Sequence, residues 1–369
     1  MGTMDELISP SVVARLRESL RAVGPTLDLP SLERAETAVT GYRLRQRVDA
    51  VRDALLADLP AGYPAAERVV LDVLDDPHFA GWMIWPTSEF VARRALETES
   101  SADFDSAMAL LARLTVGLTG EFAVRDLLIA RPERGLDIMR AWTTHDNEHV
   151  RRLASEGSRA YLPWARQVPW LVAHPRATRG ILDASYRDPS EYVRRSAANH
   201  LNDLSRIDAA VVTETAGGWA AEPDANTPWV LRHGLRTLIK RADPVALRLV
   251  GYTGAELLVQ LETTSDSVPS HGTLTFTANV TNRGATEATV AIDYSIGFYR
   301  ANGSVRPKTF KIGSRRIAAG ETAVLTKTHS FRPITTRTYY PGPHSVTVQA
   351  NGVLSSPRGF VLEAPGDLG

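Results

Sequence analysis

At 369 residues, 43% apolar and 23% charged, with acids and bases in equal number, the chain reads as an ordinary soluble globular protein of two domains. It contains no cysteine, which excludes a disulfide framework, thiolate catalysis and cysteine-bound zinc, and which fits a reducing cytoplasm. No run of about 18 apolar residues is present to span a membrane, and the start, MGTMDELISPSVVARL, lacks the basic and apolar regions of a signal peptide.

The first part of the chain runs at helical period. Apolar spacing predicts helices at about 11–22, 42–58, 64–75, 89–97, 103–116, 120–131 and 133–142. Three later stretches echo one another: HVRRLASEGSRAY at 149–161, EYVRRSAANHLNDLSR at 191–206 and WVLRHGLRTLIKRAD at 229–243. Setting Val150 against Val193 and Val230 brings Arg152, Arg195 and Arg232 into register, at offsets of 43 and 37 residues. Self-similarity at that spacing marks stacked helical hairpins of the HEAT or armadillo kind. Val150, Leu153, Ala154, Gly157 and Tyr161 share one face of the first copy, with Arg152, Glu156 and Arg159 as a stripe on the other. In the second, Tyr192, Val193, Ser196, Ala197, His200 and Leu204 are expected to face inward, and Arg195, Asn199 and Asp203 outward. Asp188-Pro189 followed by Glu191 reads as an N-cap, a first-turn proline and a capping-box partner, and Thr227-Pro228 opens the next helix.

Several chemistries drop out. There is no G-x-x-x-x-G-K, G-x-G-x-x-G or G-x-S-x-G, so phosphate loops and serine-hydrolase elbows are missing. His145-Asp-Asn-Glu148-His149 has the H-x-x-E-H order of inverted zinc peptidases, but that chemistry needs both histidines on one helical face. Alignment of the repeats puts His145 before the helix begins and His149 at a core position, so no metal site is expected. Between residues 140 and 200 ten arginines stand against six acids, a local basic face that the balanced total conceals. A solvated, salt-bridged helix surface is the alternative reading of the same charges.

After residue 251 the period switches to two, in TLTFTANVT (273–281), ATVAIDYSIGFY (288–299), TAVLTKTHSF (322–331) and HSVTVQA (344–350). Asn351-Gly352 is the strongest hairpin signal, and 282–284, 301–303 and 341–343 supply further turns. Six or seven short strands in this span describe a β-sandwich of the immunoglobulin type. The expected division is therefore a helical domain over 1–251 and a sandwich over 252–369. Arg315-Arg316 and Lys308/Lys311 are expected to flank an inter-strand loop that reaches DNA, so that the sandwich strengthens engagement. In a cytoplasmic chain the sequons at Asn279 and Asn302 are chance.

The helical part resembles the bacterial AlkC-type DNA alkylation repair proteins of the AlkC/AlkD superfamily of HEAT-like-repeat glycosylases. The resemblance rests on WPTSEFVARRAL (85–96), LTGEFAVRDLL (118–128), the segment from His149 to Ala165, the segment from Ser190 to Asp208 and LRHGLRTLIKRADPVALRLVGY (231–252). The sandwich resembles the immunoglobulin-like domain that some AlkC proteins carry. The resemblance implies a monofunctional DNA glycosylase that excises cationic N-alkylated bases, N3-methyladenine and N3-methylcytosine, from double-stranded DNA without flipping them. It implies catalytic acids at Glu121, Glu156 and Asp203, an aromatic ring lining the site at Trp164, and DNA-gripping arginines at Arg152, Arg159 and Arg195. Arg194, Arg232 and Arg316 complete the candidate DNA contacts. A monomer working at the bacterial nucleoid, with neither metal nor cofactor, is the corresponding expectation.

These residue types suit that chemistry independently of the family. Methylation at N3 makes the base cationic, so it departs neutral and needs no acid to protonate it. Positive charge passes to the sugar as in glycoside hydrolysis. A carboxylate about 4 Å from that cation, at an effective dielectric near 20, contributes on the order of 4 kcal/mol. Each residue also has an ordinary structural explanation. Glu156 and Arg152 could be a plain i, i+4 pair; Asp203 could pair with Arg195, Asn199 or Arg206. Glu121 could be a first-turn acid, and Trp164 and Trp170 could pack between repeats. A HEAT-like scaffold that binds DNA or protein without chemistry is the competing function.

Overall fold

The computed structural model describes residues 4–252, 256–334 and 337–364. Sixteen α-helices precede nine strands among them. The first eight are α1 (Pro10–Val23), α2 (Pro30–Ala38), α3 (Leu44–Asp58), α4 (Tyr63–Val73), α5 (Ile84–Ala95), α6 (Ser101–Leu114), α7 (Val124–Ala130) and α8 (Pro132–Trp142). Then come α9 (Glu148–Gly157), α10 (Pro169–Ala173), α11 (Arg179–Ser185), α12 (Glu191–Leu204), α13 (Ala209–Ala221), α14 (Thr227–Gly234), α15 (Arg236–Lys240) and α16 (Pro244–Leu249). Proline begins α1, α2, α8, α10 and α16, where its missing N–H leaves no helical bond unmade. No helix among the described residues is long and apolar enough to cross a membrane.

The repeats are helix pairs, α8 with α9, α11 with α12 and α13 with α14. α9, α12 and α14 pack side by side as one row, and α8, α11 and α13 form the other. Val150, Leu153 and Ala154 of α9, Val193, Ala197 and Leu201 of α12, and Val230 and Leu231 of α14 are buried, which is why these three segments carry the repeat signal. The seven early helices lie where periodicity places them, except that α5 begins five residues sooner and α7 four residues later. The short helices α2, α10 and α11 escape it, and so does the longer α13, AAVVTETAGGWAA, which has no polar face for a period to show. The third echo is two helices, α14 and α15, rather than one. α12 begins after Ser190, not at Pro189: Asp188 accepts the Ser190 N–H at 2.8 Å and pairs with Arg151 at 2.7 Å instead of capping.

The chain divides into two compact units, Met1–Gly234 and Leu235–Gly369. α15 and α16 therefore go with the strands, and a cut at residue 251 would sever them from their own unit. The strands are β1 (Leu257–Thr263), β2 (Ser267–Val268), β3 (Thr273–Asn282), β4 (Ala288–Tyr299) and β5 (Val305–Ile317), then β6 (Thr322–Ser330), β7 (Gly342–Ala350), β8 (Val353–Leu354) and β9 (Arg358–Leu362). They form a sheet ordered β1-β3-β6 and a second ordered β2-β9-β7-β4-β5, with β8 on β7. Phe276, Phe331, Phe360 and Tyr294 fill the core. Asn351 and Gly352 both take positive φ, 43° and 94°, in the β7–β8 hairpin.

The expected loop around Lys308–Arg316 is instead the strand β5. It lies at a sheet edge, is largely exposed and carries Pro307, the marks of an edge strand that alternation does not reveal. Arg316 is thus an exposed strand residue opposite Thr289, not a loop tip.

Candidate active site

α9 begins where the Asn147 side chain accepts the His149 N–H and ends at Gly157, where a β-carbon would come within 2.6 Å of Val124 Cγ1. The chain then leaves helix. Residues 158–167 form an irregular turn whose Trp164 is 73% exposed at a φ of +63°, in the left-handed region that a bulky residue rarely adopts. Trp164 therefore does not pack between repeats.

The stripe Arg152, Glu156, Arg159 does not face solvent. α12 lies against it, and Glu156 and Arg159 are buried at 6% and 7% exposure. Arg159 donates from Nη1 to Glu156 Oε1 at 2.6 Å and from Nε to Asp203 Oδ2 at 2.8 Å, so a single guanidinium joins acids on two helices. Ser196 Oγ donates to the other Glu156 oxygen at 2.6 Å and shares a hydrogen bond with Ser155 at 2.7 Å. Buried His200 donates from Nδ1 to the Ser155 carbonyl at 2.9 Å; burial pushes its pKa down to about 3, so it stays neutral. Asp203, expected on the outer face, is 4% exposed. Among the described residues no donor reaches its Oδ1, so one carboxylate oxygen stays open.

Glu121 lies in the TGEF turn before α7 rather than in a helix. Its carboxylate accepts from Thr119 Oγ1 at 2.8 Å and from Arg152 Nη1. Arg152 also reaches Glu156 at 3.5 Å and lies over the Tyr192 ring at 4.8 Å. The WPTSEF segment supports this turn: Trp85, anchored by its Nε1–H to Glu89 at 2.8 Å, stacks on Phe122 with ring centroids 4.3 Å apart. Glu121, Arg152, Glu156, Arg159 and Asp203 are one continuous chain of contacts. Tyr192 is not core but 40% exposed, because α12 turns that edge outward.

The remaining candidate arginines lie outside that chain. Arg195 is exposed and paired with Glu191, and Arg232 is exposed on α14. Arg194 is half-buried and donates to the Asp188 and Pro189 carbonyls, which makes it a clasp for its own helix start. His145 lies in the turn before α9, where its Nδ1 accepts the Asn147 N–H, and His149 sits edge-on to Tyr192. Among the described residues no cluster of His, Cys, Asp and Glu could hold a metal ion.

Known proteins share this architecture. A family model described as the C-terminal Ig-like domain of the uncharacterised protein YhaZ matches residues 258–364. YhaZ of Bacillus subtilis is 34% identical over 319 residues, 86% of this chain and 87% of that protein. The crystal structure of the Pseudomonas fluorescens alkylpurine DNA glycosylase AlkC, bound to DNA containing an abasic site analog, superimposes with a TM-score of 0.86. It is 31% identical, and the match covers 98% of this chain and 100% of that one. The chain belongs to the AlkC family.

In this AlkC-family site the two central acids are driven apart. Burial pushes the Glu156 carboxyl up, but Arg152, Arg159 and the Ser196 hydroxyl outweigh it and hold it below its usual range. Burial also pushes Asp203 up, and Arg159 and Arg206 do not bring it back, so it stays above its usual range. The sequence signal missed Arg125, fully buried beneath the site, and Tyr192 and Ser196 as site residues.

The shifts have opposite signs for stability. A carboxylate with a depressed folded pKa stabilises the fold above its unfolded pKa, and that contribution is lost as pH falls through the folded value. A carboxyl with a raised folded pKa contributes its full stabilisation below its unfolded pKa, and that contribution is lost as pH rises through the folded value. At pH 7 Glu156→Gln is therefore expected to lower Tm, and Asp203→Asn to leave it unchanged or raise it. Calorimetry of the two variants checks this; a larger loss for Asp203→Asn would reverse the assignment.

Proposed function

We propose that the chain is a monofunctional DNA glycosylase that hydrolyses the N-glycosidic bond of cationic N-alkylated bases in double-stranded DNA. N3-methyladenine and N3-methylcytosine are the lesion class, since alkylation makes both cationic. The observation that carries the reading is Asp203: one oxygen pinned by Arg159, the other open, its pKa above the ordinary range and an ionised Glu156 beside it. Titratable groups pushed apart in this way are the arrangement that divides base and electrostatic roles between two carboxylates.

In this mechanism the cationic base leaves without a proton. Asp203 orients a water through its open oxygen and takes the proton released as that water attacks C1′ of the sugar. Glu156, held ionised, contributes negative charge to the oxocarbenium-like transition state. Glu121 fixes Arg152, which keeps the basic groups from neutralising Glu156 completely. Trp164 presents an aromatic face to the cationic lesion, a cation–π contact worth about 1–2 kcal/mol when desolvated. The base need not leave the helix for this, because the chemistry is at the sugar. The relative bound to DNA containing an abasic site analog supports DNA as the partner.

Purified protein is expected to release free N3-methyladenine from methylated duplex DNA and leave an abasic site. Asp203→Asn is expected to bind that duplex at least as tightly while excising a hundredfold more slowly or worse. Absence of base release by the wild type would leave the DNA- or protein-binding scaffold as the function.

The exposed arginines have a separate role. Arg195→Ala and Arg232→Ala are each expected to weaken binding to damaged and undamaged duplex alike. Each should reduce the slope of log affinity against log salt by about 0.9. An unchanged slope would remove that arginine from the interface.

A further inference from the structure

Arg125 is the largest fully buried side chain among the described residues. It stands in the first turn of α7, four residues after Glu121, and none of its hydrogen bonds goes to a carboxylate. Its Nη1 donates to the Gly157 carbonyl at 3.0 Å and the Arg159 carbonyl at 2.8 Å, and its Nε donates to the Arg166 carbonyl. Nη2 is buried without a hydrogen-bond partner among the described residues. Burying an arginine against carbonyls alone is costly, and the cost is tolerated where the geometry requires it.

The three carbonyls are not scattered. Gly157 and Arg159 are where the chain leaves α9, and Arg166 is where it returns from the excursion that carries Trp164. One guanidinium thus clamps both ends of that turn. The neighbouring Asp126 of α7 adds a second tie, to the Arg166 side chain. The clamp holds a segment that has reason to relax, because Trp164 is exposed and in a backbone conformation that costs about 1–3 kcal/mol.

We propose that Arg125 is a positioning residue: it fixes the 158–167 turn at both ends so that Trp164 is presented to the lesion, while its own segment also carries Glu121. The glycosylase reading above underlies the part of this that concerns the lesion. Lysine cannot substitute, since a point charge on a flexible stem cannot span three carbonyls in fixed directions.

The test compares Arg125→Lys with wild type in the full chain by two readouts. The first is amide hydrogen exchange, which does not depend on activity: exchange across 158–167 is expected to quicken at least tenfold while α5 and α6 are unchanged. The second is a double-mutant cycle with Trp164→Ala under single-turnover excision. Arg125→Lys is expected to slow excision about tenfold with Trp164 present, the scale of one cation–π contact, and less than twofold with Trp164→Ala. Unchanged exchange, or equal losses in both backgrounds, would overturn the proposal. So would failure of both Arg125→Lys and Arg125→Gln to fold, which would make Arg125 a determinant of the whole unit. If the wild type excises nothing, the glycosylase reading fails and the exchange result alone decides the clamp.

Discussion

The helical unit's site depends on one guanidinium shared by two carboxylates. Arg159, two residues past the end of α9, pairs with Glu156 of that helix and with Asp203 of α12, and is nearly sealed from solvent. Each acid alone would be an expensive buried charge. With one cation between them and Arg152 at the far side, Glu156 remains ionised while Asp203 stays close to the condition in which it can take a proton. A second full-strength partner for Asp203 would make it as inert a base as Glu156.

Much of the surrounding structure holds that sharing in place. The Ser155–Ser196 hydrogen bond and the neutral His200 lock α12 to α9 at the depth of the bridge. Gly157 lets α7 approach closely enough for Arg125 to grip the turn that follows. Trp85, tied to Glu89, stacks under the turn that carries Glu121. WPTSEF, TGEF, LASEGSR and HLNDLS are separated in sequence but converge, each supplying a polar group and the packing that aims it.

The sequence made the repeat, the helical pairs and the change to strands near residue 251 legible, because apolar periodicity reports the core directly. It misjudged Glu156, Arg159 and Asp203 as solvent-facing for a physical reason. Periodicity within one helix separates polar from apolar faces, but a polar face laid against another polar face looks the same as one laid against water. Tyr192 failed in the opposite sense: an aromatic at a core-like spacing is turned to the surface beside Arg152. Arg125 left no signal, since a lone arginine in an amphipathic segment gives no hint that backbone carbonyls from elsewhere surround it. β5 was hidden by its position at a sheet edge, where charge and proline are favoured over alternation. The resemblance to AlkC proteins, by contrast, named three acids, Glu121, Glu156 and Asp203, that lie in one chain of contacts, because motif matching carries three-dimensional information that periodicity lacks.

The proposed mechanism requires unequal protonation of the two buried acids. Carbon-13 NMR of the full chain, with labelled Asp and Glu side-chain carboxyls assigned through Asp203→Asn and Glu156→Gln, follows each titration directly. Asp203 is expected to titrate above the ordinary aspartate range and Glu156 below the ordinary glutamate range. Arg159→Lys is expected to narrow the gap between them. Ordinary values for both, or Glu156 titrating above Asp203, would contradict the division of roles on which the mechanism rests.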